Sequence, residues 1–263
     1  MKLKINVVDA FTEERFKGNS AAVIITESWL SNDLMQLIAM ENNLSETAYL
    51  VRSSDGSYEI RWFSPLSEIE FCGHATLAAA SVIFKQEPTV QAITFTADAV
   101  GSMVVAQSSE GYIEMDFPSR MPMPVDDIPE YLVNGLSIPP VKVLKNQQAY
   151  FVVYDSEDQV HNVEQDPKLI ADLGPLDVVV TAKGEHYDFV SRYFWPANGG
   201  DEDPVTGSIH TGLAPYWAGV LNKQVLFAHQ ASKRGGVLRC EVKESRVIVA
   251  GKAVHYLEGE ITV

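Results

Sequence analysis

Hydrophobic positions along this chain fall mainly into short runs that alternate with polar residues, which is the period-two pattern of β-strands. Turn-forming residues separate these runs, as at Ser53–Gly56. The predicted strands are Lys2–Asp9, Ala21–Thr26, Thr47–Arg52, Ser57–Phe63, Ile93–Ala97, Gly101–Gln107, Gly111–Phe117, Ala149–Tyr154, Asp177–Thr181, Phe189–Phe194, Val237–Val242 and Arg246–Val249. The pattern therefore predicts a protein built largely of β-sheet.

One segment near the N-terminus has an amphipathic helical pattern instead. Ser31 is a good N-cap residue, and the helix that follows it runs to near Glu41. Leu34, Leu37 and Ile38 share one face of this helix, so we expect that face to be buried.

Two further helices are apolar nearly all round, which predicts that both are buried. They are His74–Lys85 and Ser208–Val220, and Pro215 should kink or shorten the second one.

Related sequences half a chain length apart introduce these two buried helices. Arg61–Pro65 precedes the first and Arg192–Pro196 the second, and each segment reads Arg-aromatic-Phe-x-Pro. A five-residue match can arise by chance, but its equivalent placement in the two halves favours gene duplication. Two copies of a unit with antiparallel strands around one buried helix predict an α+β protein of two similar domains, with the ligand site in the cleft between them.

Composition and charge exclude several classes of protein. The chain has 35 acidic and 20 basic residues, a net charge of −15, and 46% hydrophobic residues, so it is neither disordered nor suited to nucleic acid or an anionic membrane surface. The first residues do not have the pattern of a secretory signal, so we expect none, and no apolar run is long enough to span a bilayer. The two cysteines, Cys72 and Cys240, lack the spacing of a disulfide framework or a metal site, so we expect a cytoplasmic protein with no metal.

Gly73 and Gly207 each end a polar loop and begin a buried helix. Free N–H groups at a helix start attract anions, so two such starts facing one cleft would bind the carboxylate of a small substrate. The structural alternative is that each glycine only allows a strand to turn into a helix.

Four polar residues near these turns are candidates for chemistry. Glu46 lies at the junction between the first helix and a strand, where a partly desolvated carboxylate would suit a general base; the alternative is a solvated side chain at a helix end. His74 could donate a proton or cap its helix. Asp203 could orient a ligand amine or hydroxyl, or be one more acidic loop residue. Ser208 could bind a ligand or act as an N-cap.

Four sequence blocks, in order, resemble the phenazine-biosynthesis PhzF-like family. These are Gly18–Val23, Asn43–Ala48, Phe71–Thr76 and Asp201–Ser208. One departure is Ser20, where many members of the family have proline; it affects a turn and none of the candidate chemistry.

The resemblance implies the fold of the group that includes diaminopimelate epimerase and proline racemase. That fold has two pseudo-symmetric domains, each a curved, mostly antiparallel sheet wrapped around a central buried helix, with the active site in the cleft. The expected domains are 1–116, completed by 254–263, and 117–253. The resemblance also implies a homodimer and a reaction without a cofactor, as in the PhzF enzyme, which isomerises trans-2,3-dihydro-3-hydroxyanthranilate.

The resemblance also assigns roles to residues of this chain. It makes Glu46 the catalytic acid/base. It implies further residues that line or shape the substrate site, which are Asn19, Gly73, His74, Asp203, Gly207 and Ser208.

The number and positions of the cysteines indicate which type of proton transfer to expect. Cofactor-free epimerases of the larger group use two thiols, and Cys72 resembles the first of them. The second would fall near Val205, where this chain has no cysteine, and Cys240 is far along the sequence. We therefore expect a cofactor-independent isomerase in which Glu46 moves a proton or double bond in a small carboxylate-bearing metabolite. The alternatives are a non-catalytic small-molecule-binding or interaction protein on the same fold, and an amino-acid racemase of altered mechanism.

Overall fold

A computed structural model describes all 263 residues of the chain. The strands are β1 (Lys2–Ala10), β2 (Asn19–Thr26), β3 (Glu46–Arg52), β4 (Tyr58–Phe63), β5 (Glu68–Ile69), β6 (Ala92–Ala97), β7 (Gly101–Gln107), β8 (Ile113–Pro118), β9 (Met123–Pro124), β10 (Lys142–Lys145), β11 (Ala149–Val153), β12 (Asp177–Lys183), β13 (Phe189–Trp195), β14 (Gly200–Asp203), β15 (Val225–Gln230), β16 (Gly236–Lys243), β17 (Arg246–Gly251) and β18 (Ala253–Thr262). The α-helices are α1 (Asn32–Asn42), α2 (Gly73–Gln86), α3 (Glu130–Asn134), α4 (Glu157–Asn162), α5 (Pro167–Ala171) and α6 (His210–Leu221). No helix has both the length and the apolar character needed to cross a membrane.

The chain divides into two compact units. The first unit consists of Met1–Asp116 and Ala250–Val263, and the second unit is Phe117–Val249. The segment that returns to the first unit begins at Ala250, before the start at Val254 expected from the sequence.

In the first unit, one series of paired strands surrounds α2. β1 pairs antiparallel with β18 and with β2, β2 pairs parallel with β3, and β3 pairs antiparallel with β4. Helix α2 packs against β1, β2 and β3, and almost every residue from Gly73 to Phe84 is buried. Its apolar surface extends all round the helix, as the sequence pattern predicts.

Helix α1 packs against the same strands through a separate apolar cluster. Ser31 accepts a hydrogen bond from the Leu34 amide and caps the helix as predicted. The buried residues of the helix are Met35, Ile38 and Ala39, whereas Leu37 is 60% exposed. The prediction that Leu37 faces inward is therefore wrong, because the helix is rotated so that Met35 and Ala39 flank Ile38 in the cluster.

The second unit repeats the arrangement of the first. β11 pairs parallel with β12, β12 pairs antiparallel with β13, and β15 pairs antiparallel with β16. Helix α6 packs against β15 and β16, and the ring of Trp217 stacks on Phe189 while its Nε1 donates to Thr181. Helix α6 includes Pro215 within its length and begins at His210, two residues later than predicted.

The two buried helices occupy equivalent positions in the order of strands. α2 lies between β4 and β6, which pair parallel, and α6 lies between β13 and β15, which also pair parallel. Each helix is thus the crossover between two parallel strands, and each first strand carries the Arg-aromatic-Phe sequence. The hydrophobic pattern did not predict six of the strands, which are β5, β9, β10, β14, β15 and β18.

Candidate active site

Glu46 is the first residue of β3 and is held at a sharp change of chain direction. Helix α1 ends when Asn43 adopts a left-handed conformation, with φ of 49°, and its amide bonds to the Ala39 carbonyl. β3 then pairs with β2, which places Glu46 opposite Ala21. Only 8% of Glu46 is exposed, so its carboxylate is nearly removed from solvent. The structure excludes the alternative of a solvated glutamate at a helix end.

His74 provides the nearest charged partner of this carboxylate. Nε2 of His74 lies 2.9 Å from Oε2 of Glu46, and both side chains are buried. Burial on its own lowers the pKa of His74, but the Glu46 carboxylate, which is the neighbouring negative charge at pH 7, opposes this effect, and the pKa is raised well above the usual value. The imidazole can therefore hold a proton against the carboxylate at neutral pH.

Asn19 and Ser45 fix the other side of the imidazole ring. Nδ2 of Asn19 lies 3.2 Å from Nδ1 of His74, and the Ser45 hydroxyl donates to Oδ1 of Asn19 at 2.9 Å. Gly18 sets the chain path just before Asn19, with φ of +67°. A Cβ atom at that position would lie 2.1 Å from the Ala10 carbonyl oxygen, so only glycine fits there.

Cys72 lies directly before α2 and also contacts His74. Its Sγ is 3.4 Å from Nδ1 of His74. Burial raises the pKa of the thiol to about 11, and the charge of Glu46 adds to this, so Cys72 is a neutral thiol at pH 7.

Donor atoms of Glu46, Cys72 and His74 all lie within 4.8 Å of one another. Carboxylate, thiolate and imidazole are all zinc ligands, so these are the residues that could hold a metal ion if one bound. The cysteine spacing in the sequence gave no sign of this cluster, because Glu46 is supplied by a distant strand.

In the second unit, Asp203 begins a loop that is held in place by hydrogen bonds. The Thr206 hydroxyl donates to the Asp203 carboxylate. Gln230 is fully buried at the end of β15; its amide nitrogen donates to the Asp203 carbonyl at 2.9 Å, and its amide oxygen accepts from the Thr206 amide at 2.9 Å. His210 adds a third contact, from Nδ1 to the Thr206 carbonyl at 2.9 Å. The loop is therefore a rigid part of the fold.

Gly207 and Ser208 continue this loop into α6. The amides of His210 and Thr211 bond to the carbonyls of Gly207 and Ser208, which makes a tight turn before the helix. Ser208 is thus two residues before the helix and does not serve as its N-cap residue. Its hydroxyl instead contacts Nε2 of Gln148 at 2.9 Å.

The structure groups the seven predicted site residues in two sets. Four of them lie in the first unit, namely Asn19, Glu46, Gly73 and His74. The other three lie on one loop of the second unit, namely Asp203, Gly207 and Ser208. Sequence reasoning missed the residues that hold them, namely Ser45, Gln148 and Gln230. Ser45 lies within a block that resembles the family, whereas the two glutamines have no sequence signal.

Comparison with known proteins gives the class and then the family. A hydroxyproline epimerase of Agrobacterium vitis, solved with bound trans-4-OH-L-proline, has a TM-score of 0.58 at 8% identity, over 99% of this chain and 92% of that one. This likeness shows the fold alone. The predicted α+β fold of the racemase and epimerase group is confirmed.

Closer relatives identify the family. An uncharacterized isomerase of Pseudomonas aeruginosa is 45% identical over 263 residues and 99% of each chain. The crystal structure of an Enterococcus faecalis protein of the phenazine biosynthesis PhzF family is 42% identical, covers all of both chains and has a TM-score of 0.95. The family model described as phenazine biosynthesis-like protein matches residues 8–259. The chain is an isomerase-type enzyme, and it belongs to the phenazine biosynthesis-like (PhzF) family.

Proposed function

We propose that this protein is a cofactor-independent isomerase that moves a proton, and with it a double bond, within a small carboxylate-bearing metabolite. Glu46 is the general acid/base. The observation that carries the proposal is the contact of 2.9 Å between the buried Glu46 carboxylate and the His74 imidazole. Binding alone needs no base, so this arrangement favours a catalyst over a small-molecule-binding protein on the same fold.

The proposed step transfers one proton out and one proton back. A carboxylate oxygen of Glu46 takes a proton from a substrate carbon, and the electron pair of that C–H bond joins the adjacent conjugated system. The carboxylic acid then returns the proton to a second carbon, and the double bond is left in its new position. Atoms and electrons balance without any other reactant, and His74 stabilises the negative charge that develops.

Substrate binding is assigned to polar groups in both sets of residues. Gly73 begins α2 and Gly207 lies in the turn before α6, where backbone N–H groups suit a carboxylate. Asp203 and Ser208 would bind the remaining polar groups of the substrate, and Asn19 holds the His74 ring. We also propose that the protein is a homodimer, which sedimentation at micromolar concentration would test.

A two-base racemase is the competing mechanism, with Cys72 as the second base. Racemisation needs bases on opposite faces of one carbon, each about 3–3.5 Å from it, and hence roughly 6–7 Å apart. The donor atoms of Cys72 and Glu46 lie within 4.8 Å of each other. This separation suits two groups on one face of a substrate and supports a shift along that face.

Solvent deuterium exchange tests the proposal directly. The protein is incubated in D2O with unsaturated and α-amino carboxylic acids, trans-2,3-dihydro-3-hydroxyanthranilate among them, and each compound is analysed by mass spectrometry and proton NMR. Formation of a double-bond isomer is the expected result, with deuterium at the carbon that gains hydrogen to the extent that the proton on Glu46 exchanges with solvent. A protein that binds compounds from this panel, converts none of them into a double-bond isomer and exchanges no deuterium into any of them is a binding protein, and the proposal is then wrong.

A further inference from the structure

A chain of hydrogen bonds inside the second unit ends at Ser208. The Tyr193 hydroxyl donates to Oδ2 of Asp177. The amide nitrogen of Gln148 lies 3.1 Å from the Tyr193 oxygen and 2.9 Å from the Ser208 oxygen. Asp177, Tyr193 and Gln148 come from β12, β13 and the turn before β11, so the chain links three parts of one unit.

The donor and acceptor groups of these residues determine the direction of each hydrogen bond in this series. Asn198 donates from Nδ2 to the Pro175 carbonyl and to Oδ1 of Asp177, and a backbone carbonyl can only accept. Burial raises the pKa of Asp177, while the bonds from Tyr193 and Asn198 oppose that shift and favour the ionised carboxylate. Burial, together with the Asp177 charge, also raises the pKa of Tyr193 far above its usual value, so Tyr193 stays protonated and its hydroxyl donates a hydrogen bond to Asp177.

The orientation of the Gln148 amide follows from that direction. Because the only hydrogen of the Tyr193 hydroxyl is used on Asp177, its oxygen can only accept from Gln148. The amino end of the amide must therefore face both Tyr193 and Ser208. This leaves the Gln148 carbonyl oxygen buried without a partner.

The orientation of the Gln148 amide determines the hydrogen bonds that the Ser208 hydroxyl can make. Its oxygen accepts from Gln148, and it donates to no acceptor in the protein. Ser208 is part-exposed, so the hydroxyl hydrogen is available to a ligand.

We propose that Gln148 is a positioning residue that makes Ser208 a hydrogen-bond donor to an acceptor oxygen, such as a carboxylate oxygen, of the substrate. This inference rests on the proposed function, because it assigns a selectivity to the same reaction. A substrate that offers Ser208 only a donor, such as an ammonium group, would be rejected at this position.

Two substitutions at Gln148 separate positioning from structural support. Gln148→Glu has the same shape but only accepts, so it draws the Ser208 hydrogen away from the substrate. Gln148→Met removes the contact and leaves Ser208 free to rotate and still to donate. We expect kcat/KM for the compound that exchanges deuterium to fall roughly 10- to 100-fold in Gln148→Glu, mainly through KM, and less in Gln148→Met.

A double substitution shows whether Gln148 acts through Ser208. In the Ser208→Ala background, Gln148→Glu should cause no further loss, since the group that it misdirects is absent. Gln224→Glu makes the same chemical change at an exposed residue and should leave activity at the level of the unmodified protein. Thermal unfolding of each variant checks that it is folded, and Gln148→Met supplies the test if Gln148→Glu does not fold.

The outcomes distinguish this inference from the proposed function. If the unmodified protein neither isomerises any bound compound nor exchanges deuterium into it, the proposed function fails and the role of Gln148 fails with it. If the unmodified protein is active and both Gln148 variants match it, only the positioning role is overturned. Equal losses from Gln148→Glu with and without Ser208→Ala would also overturn it, because Gln148 would then act independently of Ser208.

Discussion

Arg61 and Arg192 make the same contacts at equivalent positions of the two units. Arg61 bonds through Nε and Nη2 to both oxygens of Glu68, and Arg192 bonds through the same atoms to Glu202. Each guanidinium also lies over a phenylalanine two residues further along its strand, at 5.3 Å for Arg61 and 5.0 Å for Arg192. The repeated sequence is thus a repeated interaction, which ties the strand before each buried helix to the short strand that follows.

The two arginines should nevertheless differ in their effect on stability. Nη1 of Arg192 also approaches the backbone carbonyls of Val160 and Val163, the latter at 2.8 Å, whereas Nη1 of Arg61 bonds to the exposed side chain of Asn32. Arg192→Met should lower the free energy of unfolding by about 2–4 kcal/mol, because it leaves carbonyls and a carboxylate without a partner. Arg61→Met should cost only about 1 kcal/mol. Urea denaturation measures both, and equal costs would contradict this account.

Glu46→Gln tests the proposed base. The amide keeps the size of the side chain but cannot accept a proton, so the variant should fold and bind while deuterium exchange falls about 10²–10⁴-fold. Glu41→Gln makes the same change at an exposed residue at the end of α1 and should retain activity. An active Glu46→Gln enzyme would remove Glu46 from the mechanism.

Cys72→Ser tests the two-base alternative. Since burial raises the pKa of this thiol to about 11, Cys72 supplies little thiolate at pH 7. We expect the variant to retain most of the deuterium exchange activity. Loss of activity in Cys72→Ser together with an active Glu46→Gln would favour a thiol-based racemase.

His210 should make the protein sensitive to acid. Burial lowers the pKa of His210 to about 4 from the ordinary 6.5, against a smaller opposing effect of the Thr206 carbonyl. Below pH 6.5 the unfolded chain therefore takes up a proton that the folded chain does not, so stability is lost as the pH falls toward 4. The loss between pH 7 and pH 5 should be on the order of 2 kcal/mol.

Urea titrations at the two pH values would show this contribution as a difference between variants. His210→Asn removes the titrating group and should reduce the dependence of stability on pH. His186→Asn makes the same change at an exposed position and is the matched control. If the two variants have the same pH dependence, His210 is not the group responsible.

Gly18→Ala should disturb the support of Asn19. The new Cβ would meet the Ala10 carbonyl oxygen at 2.1 Å in a left-handed backbone conformation. Gly56→Ala is the matched control, because Gly56 also has positive φ but has no atom within 4 Å of that position. The control should cost about 1 kcal/mol for its conformation, and Gly18→Ala at least about 2 kcal/mol more. Thermal unfolding of the two variants compares them, and equal midpoints would contradict the steric account.

The elements that sequence analysis predicted well carry their signal locally. Helix α2 was expected over His74–Lys85 and spans Gly73–Gln86, since a segment apolar on every side has no other stable place than the core. On α1, Leu34 and Ile38 pack against the cluster as predicted, whereas Leu37 was misplaced because it is as apolar as Met35. Packing against the strands, which the segment itself does not encode, selected the rotation.

The residues of the candidate site also differ in whether their roles could be predicted from the local sequence. Glu46 and His74 stand out because each occupies a junction between elements. Gln148 could not be found, because its role depends on Tyr193 and Ser208, which are distant in sequence and are brought near by the pairing of strands. The direction of a hydrogen bond depends on how its partners are arranged in the folded unit and cannot be read from the amino-acid sequence.

The pairing of β1 with β18 constrains the order in which the protein can fold during synthesis. Lys2 pairs with Thr262 and Ala10 with Ala253, so β1 can pair with β18 only after β18, which is synthesised much later, has left the ribosome. The second unit is continuous in sequence and can fold while the earlier segment still waits for its final strand. A nascent chain stalled before β18 should therefore hold a folded second half and an open-edged first half, whose exposed β1 is the natural point for chaperone binding.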